Sequence, residues 1–257
     1  MTNSASFYTD WNFWTVVVAA AALFLSLLPY LQRWLRPPKL RVEVYDQIAV
    51  SHKVGWPMLQ VHVGLRNVGG RETIVSQIVA ELESDATGAF SLIGRNYVRS
   101  EGGSVALLSP FAVSPGKEWG HVVNFLPTPS RDDERGYRLL ESRLRRDIVD
   151  KYEAREQQGQ PKQLLEGDPA LVAPLLQLFQ NNFRWRSADY RLTIRLHGGE
   201  RNELLASVTY RFVLFESDVA EMRELADDYK FGAGIYYDNT ERRPWVFPTL
   251  QRPEGVT

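Results

Sequence analysis

The chain has 257 residues, 44% of them hydrophobic, which is enough for one sizeable domain and an appendage. It has no cysteine, which excludes disulfides, thiol nucleophiles and thiolate metal sites. Thirty basic against 31 acidic side chains leave a net charge of −1, too balanced for bulk attraction to phosphate, so nucleic acid is not expected as a partner.

Phe13 to Leu31 reads FWTVVVAAAALFLSLLPYL, nineteen residues without a charge. As a helix rising about 1.5 Å per residue it would be roughly 28 Å long, close to the ~30 Å hydrocarbon core of a bilayer. Trp11 and Trp14 bracket one end and Tyr30 and Trp34 the other, where amphipathic rings favour the headgroup layer. Residues 1–12 contain no Lys or Arg, and no small-residue cleavage site follows the run, so a removable signal peptide is not expected. Arg33, Arg36, Lys39 and Arg41 follow the run, whereas only Asp10 precedes it. By the positive-inside rule residues 1–12 are a short extracytoplasmic segment and 13–31 a single-pass transmembrane helix. Residues 32–39 then form a basic linker stiffened by Pro37 and Pro38, with the domain beyond on the cytoplasmic side of the cell (plasma or inner) membrane. Trp11, Trp14, Tyr30, Trp34, Arg33, Arg36 and Lys39 are the expected membrane-anchoring residues, and the bilayer itself the first partner. Ala22 and Ser26 form a small-xxx-small pair that leaves a homodimer open.

From Leu40 the pattern changes to period two, the mark of strands with one buried face. Leu40, Val42 and Val44 alternate with polar neighbours, and so do Leu59, Val61, Val63 and Leu65, which end at the turn NVGG over 67–70. Ile74, Ile78, Ala80 and Leu82 follow, interrupted by Ser76, whose hydroxyl needs a local partner. A weaker signal lies at 90–93, followed by strands at 105–113 and, after the turn at 114–116, at 119–126. Leu192, Ile194 and Leu196 lead through Gly198 and Gly199 into 204–215 as a hairpin. Seven or eight short strands predict a mainly β domain over 40–216, built as an antiparallel sandwich with a helical insertion at 131–186. In TIVSQIVAEL after NVGG, and in SPGKEWGHVVNF, the chain resembles immunoglobulin-like or fibronectin-like modules of membrane-attached proteins, without the Cys, Trp, Cys arrangement of antibody domains. That resemblance implies a module that recognises or scaffolds partners.

Within the insertion, Tyr137, Leu140, Leu144, Ile148 and Tyr152 repeat at helical spacing among eight basic and eight acidic residues. Glu134 with Arg138, Glu141 with Arg145 and Asp147 with Lys151 are favourable i, i+4 pairs. A second helix is predicted from Pro169 to Asn182, with Asp168 as its N-cap. The stripe packs on the domain or binds a partner. Residues 217–257 read as a short charged helix and an extended aromatic and proline tail, which wraps its own domain or offers anchors to another protein.

No catalytic residue, metal site or cofactor is expected. The four histidines, at 52, 62, 121 and 197, have no metal-ligand spacing, and no nucleophile elbow, P-loop or dinucleotide fingerprint occurs. His62 reads as the outward face of a strand. The best recognition candidate is the stretch 183–196, where Arg184, Trp185, Arg186, Tyr190, Arg191 and Arg195 interleave charge with aromatic rings; the alternative is cross-strand packing and ion pairing. The reading that follows is a membrane-anchored, non-enzymatic interaction, scaffolding or sensing module with an unidentified protein partner. Its alternatives are a catalytic subunit with an unrecognised site, or the same module facing outward as an envelope assembly protein.

Overall fold

The computed structural model describes residues 11–99, 103–199, 202–238 and 245–252. Nine strands follow helix α1 (Trp11–Leu35): β1 (Leu40–Lys53), β2 (Trp56–Asn67), β3 (Thr73–Ser84), β4 (Gly88–Val98), β5 (Val105–Leu107), β6 (Phe111–Val113), β7 (Glu118–Leu126), β8 (Ala188–Gly198) and β9 (Glu203–Leu214). Helices α2 (Arg131–Gln157) and α3 (Pro169–Asn182) separate β7 from β8, and α4 (Glu216–Glu224) continues into a 3-10 segment, Leu225–Phe231. The mainly β expectation holds, but its division into two sheets does not. All nine strands belong to one antiparallel sheet of nearly barrel shape, ordered β1-β2-β7-β4-β3-β8-β9, with β5 on β4 and β6 on β3. The error has a physical source: period two says which side chains are buried, and says nothing of whether the opposite wall belongs to another sheet or to the same one curled round.

Seven strands in an unbroken antiparallel path leave the two edges, β1 and β9, running the same way. An antiparallel closure therefore needs an eighth strand from elsewhere. The C-terminal segment supplies it. Val50 and Val246 exchange amide–carbonyl bonds of 2.9 and 3.0 Å, the Leu250 amide donates to the Asp46 carbonyl at 2.6 Å, and Arg211 and Gln251 exchange bonds of 2.8 and 2.7 Å. The pairing register of β1 shifts between Val44 and Ile48, which turns its middle away from β2 and toward this segment. Val246 and Leu250 are buried.

Leu59, Val61, Val63 and Leu65 of β2 face Phe125, Val123, His121 and Trp119 of β7 across the ladder, and together with Ile78, Ala80, Leu82, Leu192, Ile194 and Leu196 they fill the interior. One end is capped by helices. Tyr137, Leu144 and Ile148 of α2, Val172, Leu175 and Phe179 of α3, and Val219 and Met222 of α4 are all buried in the same core cluster. The stripe in α2 thus packs inward as far as Ile148, while Tyr152 is 39% exposed. Asp168 caps α3 by accepting from the Ala170 amide (2.8 Å). Lys151 reaches Asp147 at 2.7 Å, whereas Glu141 pairs with Arg138 and Lys53. Ser76 finds partners in the His197 carbonyl and Asn202 Oδ1, both at 3.1 Å.

The expected membrane span is not supported among the described residues. The helix that covers 13–31 is longer than expected, Trp11–Leu35, but among the described residues no helix is long and apolar enough to cross a membrane. The described side chains of α1 run unbroken from Phe13 to Leu28, and none of them belongs to the core cluster. Val16, Val18, Leu23, Phe24 and Leu25 are each about 60% exposed or more. Residues 1–10, and the side chains of the expected anchors Tyr30, Arg33 and Trp34, lie outside the described residues.

Candidate functional site: the linker-bearing end

Antiparallel order places the start of β1, β3, β7 and β9 and the finish of β2, β4 and β8 at the barrel end opposite the helices. This is the end at which α1 joins the domain. The intervening linker is not a free tether. The Val68 amide donates to the Lys39 carbonyl at 2.9 Å and the Gly70 amide to the Pro37 carbonyl at 3.3 Å, so the β2–β3 turn clasps the linker. Gly69 makes the clasp sterically possible, since a Cβ there would sit 2.4 Å from both the Lys39 nitrogen and the Pro37 oxygen. From Leu35 to the clasped Pro37 carbonyl is two residues, at most about 7 Å of chain.

Asn67 holds the clasp in shape. Fully buried, it donates through Nδ2 to the carbonyls of Arg71 (2.8 Å) and Val113 (2.7 Å), and its Oδ1 accepts from the Gly69 amide (2.9 Å). Its backbone also receives the Gly116 amide at 2.8 Å and donates to the Lys117 carbonyl at 3.2 Å. One side chain therefore ties the β2–β3 and β6–β7 turns to the linker. NVGG is legible in the sequence as a turn; what it grips is not, because the partner lies across the fold.

Inside this end the lumen is stopped by half-buried rings. Phe111 stacks on Trp119 (centroids 4.6 Å apart), and His121 lies against Tyr97 (4.6 Å) and Trp119 (4.9 Å). Burial, then the neighbouring His62 and Arg99, hold the His121 pKa below its ordinary value, and its buried Nδ1 has no hydrogen-bond partner among the described residues. His62 itself faces outward.

The structure divides the arginine and aromatic stretch at the opposite end. Trp185 is fully buried, its Nε1 donating to the Ser51 carbonyl at 2.7 Å, and Tyr190 is buried against Phe212 with rings stacked at 5.1 Å. Arg186 donates to the carbonyls of Phe183 and Trp185, both at 3.0 Å. Arg184 is exposed beside the Phe90 ring, and Arg191 and Arg195 pair with Glu83 (3.2 Å) and Glu81 (2.9 Å) on the outer face of the sheet. The six candidates thus occupy the core, a strand's outer face and a loop, and do not converge. Of the expected anchors, Trp11, Trp14, Arg36 and Lys39 are exposed on α1 and the linker.

A cavity of about 360 Å³ lies between β1 and the 3-10 segment, lined in part by His52, Lys53, Asp228, Tyr229 and Asp238. His52 is committed to structure there: Nε2 donates to the Met222 carbonyl (2.8 Å) and Nδ1 accepts from the Gly55 amide (3.2 Å), which fixes the neutral ring. Burial pushes its pKa down to about 4 against the smaller opposing effect of the Met222 carbonyl. Among the described residues no three His, Asp or Glu side chains come together as a metal site. The chain matches no family model and no curated protein.

Proposed function

We propose that the protein is a membrane-anchored, non-enzymatic scaffolding or interaction module, in which α1 crosses the bilayer and the barrel-like domain stands on its cytoplasmic side. The observation that carries the reading is the clasp on the linker. A helix whose described apolar side chains stay out of the core is joined within two residues to a clasped domain end, an arrangement that suits a fixed platform. The nineteen uncharged residues of the sequence, longer than the run of side chains described in α1, supply the span, and the Arg36, Lys39 and Arg41 flank supplies the orientation. The partner is a protein recognised by the domain surface. Alkaline carbonate washing of membranes carrying the full chain tests the anchor: the intact polypeptide is expected to stay in the pellet and the variant Val17→Arg, Ala21→Arg to leave it. Release of the unaltered chain would overturn the reading.

A further inference from the structure

We propose that the linker-bearing end of the barrel is itself a lipid-contacting surface that seats on anionic headgroups; the inference rests on the anchored reading above. Five apolar side chains from four different segments are exposed at this one end: Val68 (46%), Ile74 (54%), Val105 (64%), Leu107 (81%) and Leu204 (53%). Register places them together, since Leu107 pairs with Asn96 and Val105 with Val98 at the finish of β4, Ile74 with Ala112 at the start of β3, and Leu204 with His197 at the finish of β8. Val105 and Leu107 are the telling pair. They share one face of a three-residue strand, yet neither packs on the interior.

Charge selects the partner. Arg36, Lys39, Arg99 and Lys117 are exposed around the same end, whereas its carboxylates are held locally: Glu43 by Arg41 (3.1 Å), Glu118 by Arg66 (3.3 Å) and Glu72 by the Ser114 hydroxyl (2.7 Å), with Glu203 the remaining one among the described residues. Apolar tips ringed by cations match an interface whose headgroups are negative and whose acyl boundary lies a few ångströms deeper. Continuity points the same way. The clasp at Val68 and Gly70 keeps this end within a few residues of Leu35, so a crossing α1 delivers these tips to the headgroup layer.

The absence of cysteine makes a clean test. Full chains carrying Val68→Cys, Leu107→Cys or Leu204→Cys, and Leu139→Cys or Phe215→Cys at the helical end, are labelled with a polarity-sensitive fluorophore. They are reconstituted into phosphatidylcholine vesicles with and without phosphatidylserine. The expected result is a blue shift and several-fold stronger quenching by brominated lipid at the first three positions, enhanced by phosphatidylserine, with the last two quenched only by aqueous iodide. Chains that float with the vesicles while all five labels behave alike would overturn the inference and leave the anchor standing. Labels at 68, 107 and 204 shielded from iodide but indifferent to brominated lipid would assign the surface to protein, a second copy included, and overturn it too. Chains that fail to float remove the anchor, and this inference with it.

Discussion

The two ends of the barrel are finished in different ways. The helical end is closed by α2, α3 and α4, and several of its polar groups are matched inside the fold: Trp185 to Ser51, His52 to Met222 and Gly55, and the Tyr137 hydroxyl to Glu141 (2.8 Å) and the Ile235 carbonyl (3.1 Å). Among the described residues the linker-bearing end has a plug of half-buried rings, apolar tips outside it, and a clasp on the chain that leads to α1. The difference teaches that helix packing is concentrated at one pole, while the other leaves apolar side chains exposed.

Mutations should sharpen that contrast. Trp185→Ala removes the largest fully buried side chain and its hydrogen bond to the Ser51 carbonyl, and should cost about 3–5 kcal/mol in urea unfolding. Acid should act at the same pole. His52 has its pKa lowered from 6.5 to about 4, so the unfolded chain takes up a proton first as pH falls. Stability is complete above about 6.5 and declines as pH drops toward 4, by about 3 kcal/mol in all. Unfolding midpoints across that window should fall less steeply for His52→Asn; parallel curves would break the assignment. Leu250→Ala, at the closing strand, should cost about 2 kcal/mol, the low end for a buried leucine at a seam. Gly69→Ala forces a Cβ into the linker backbone and should cost about 1–2 kcal/mol, while freeing the amides of Val68 and Gly70 to exchange with solvent. If those amides stay protected in Gly69→Ala, the clasp does not depend on the glycine. Smallest is Arg191→Ala, whose exposed pair with Glu83 is worth within ~0.5 kcal/mol by the same unfolding assay.

Local pattern made a good part of this legible in advance. Alternation located the buried faces of β2, β3 and β8, helical spacing found the inward stripe of α2, and Asp168 before Pro169 marked the start of α3. Closure was not legible, because the pairing of Val246 with Val50 and of Gln251 with Arg211 joins segments far apart in sequence, and Pro248 breaks any strand signal between them. The recognition stretch misled for a related reason. Arg184 to Arg195 alternates charge and ring because Trp185, Tyr190 and Leu192 point into the core while the arginines point out, which is what any half-buried segment does. Asn67 gave no sign beyond its place in a turn, since its partners Val113 and Lys117 are brought to it only by the assembled sheet.

The central claim is that the domain stands on the bilayer by its linker-bearing end. Neutron reflectometry of the full chain in a supported bilayer containing phosphatidylserine tests it most directly. Protein density should run without interruption from the hydrocarbon layer through the headgroups into a layer one domain thick. Protein missing from the hydrocarbon layer, or a water-filled gap between headgroups and domain, would contradict it.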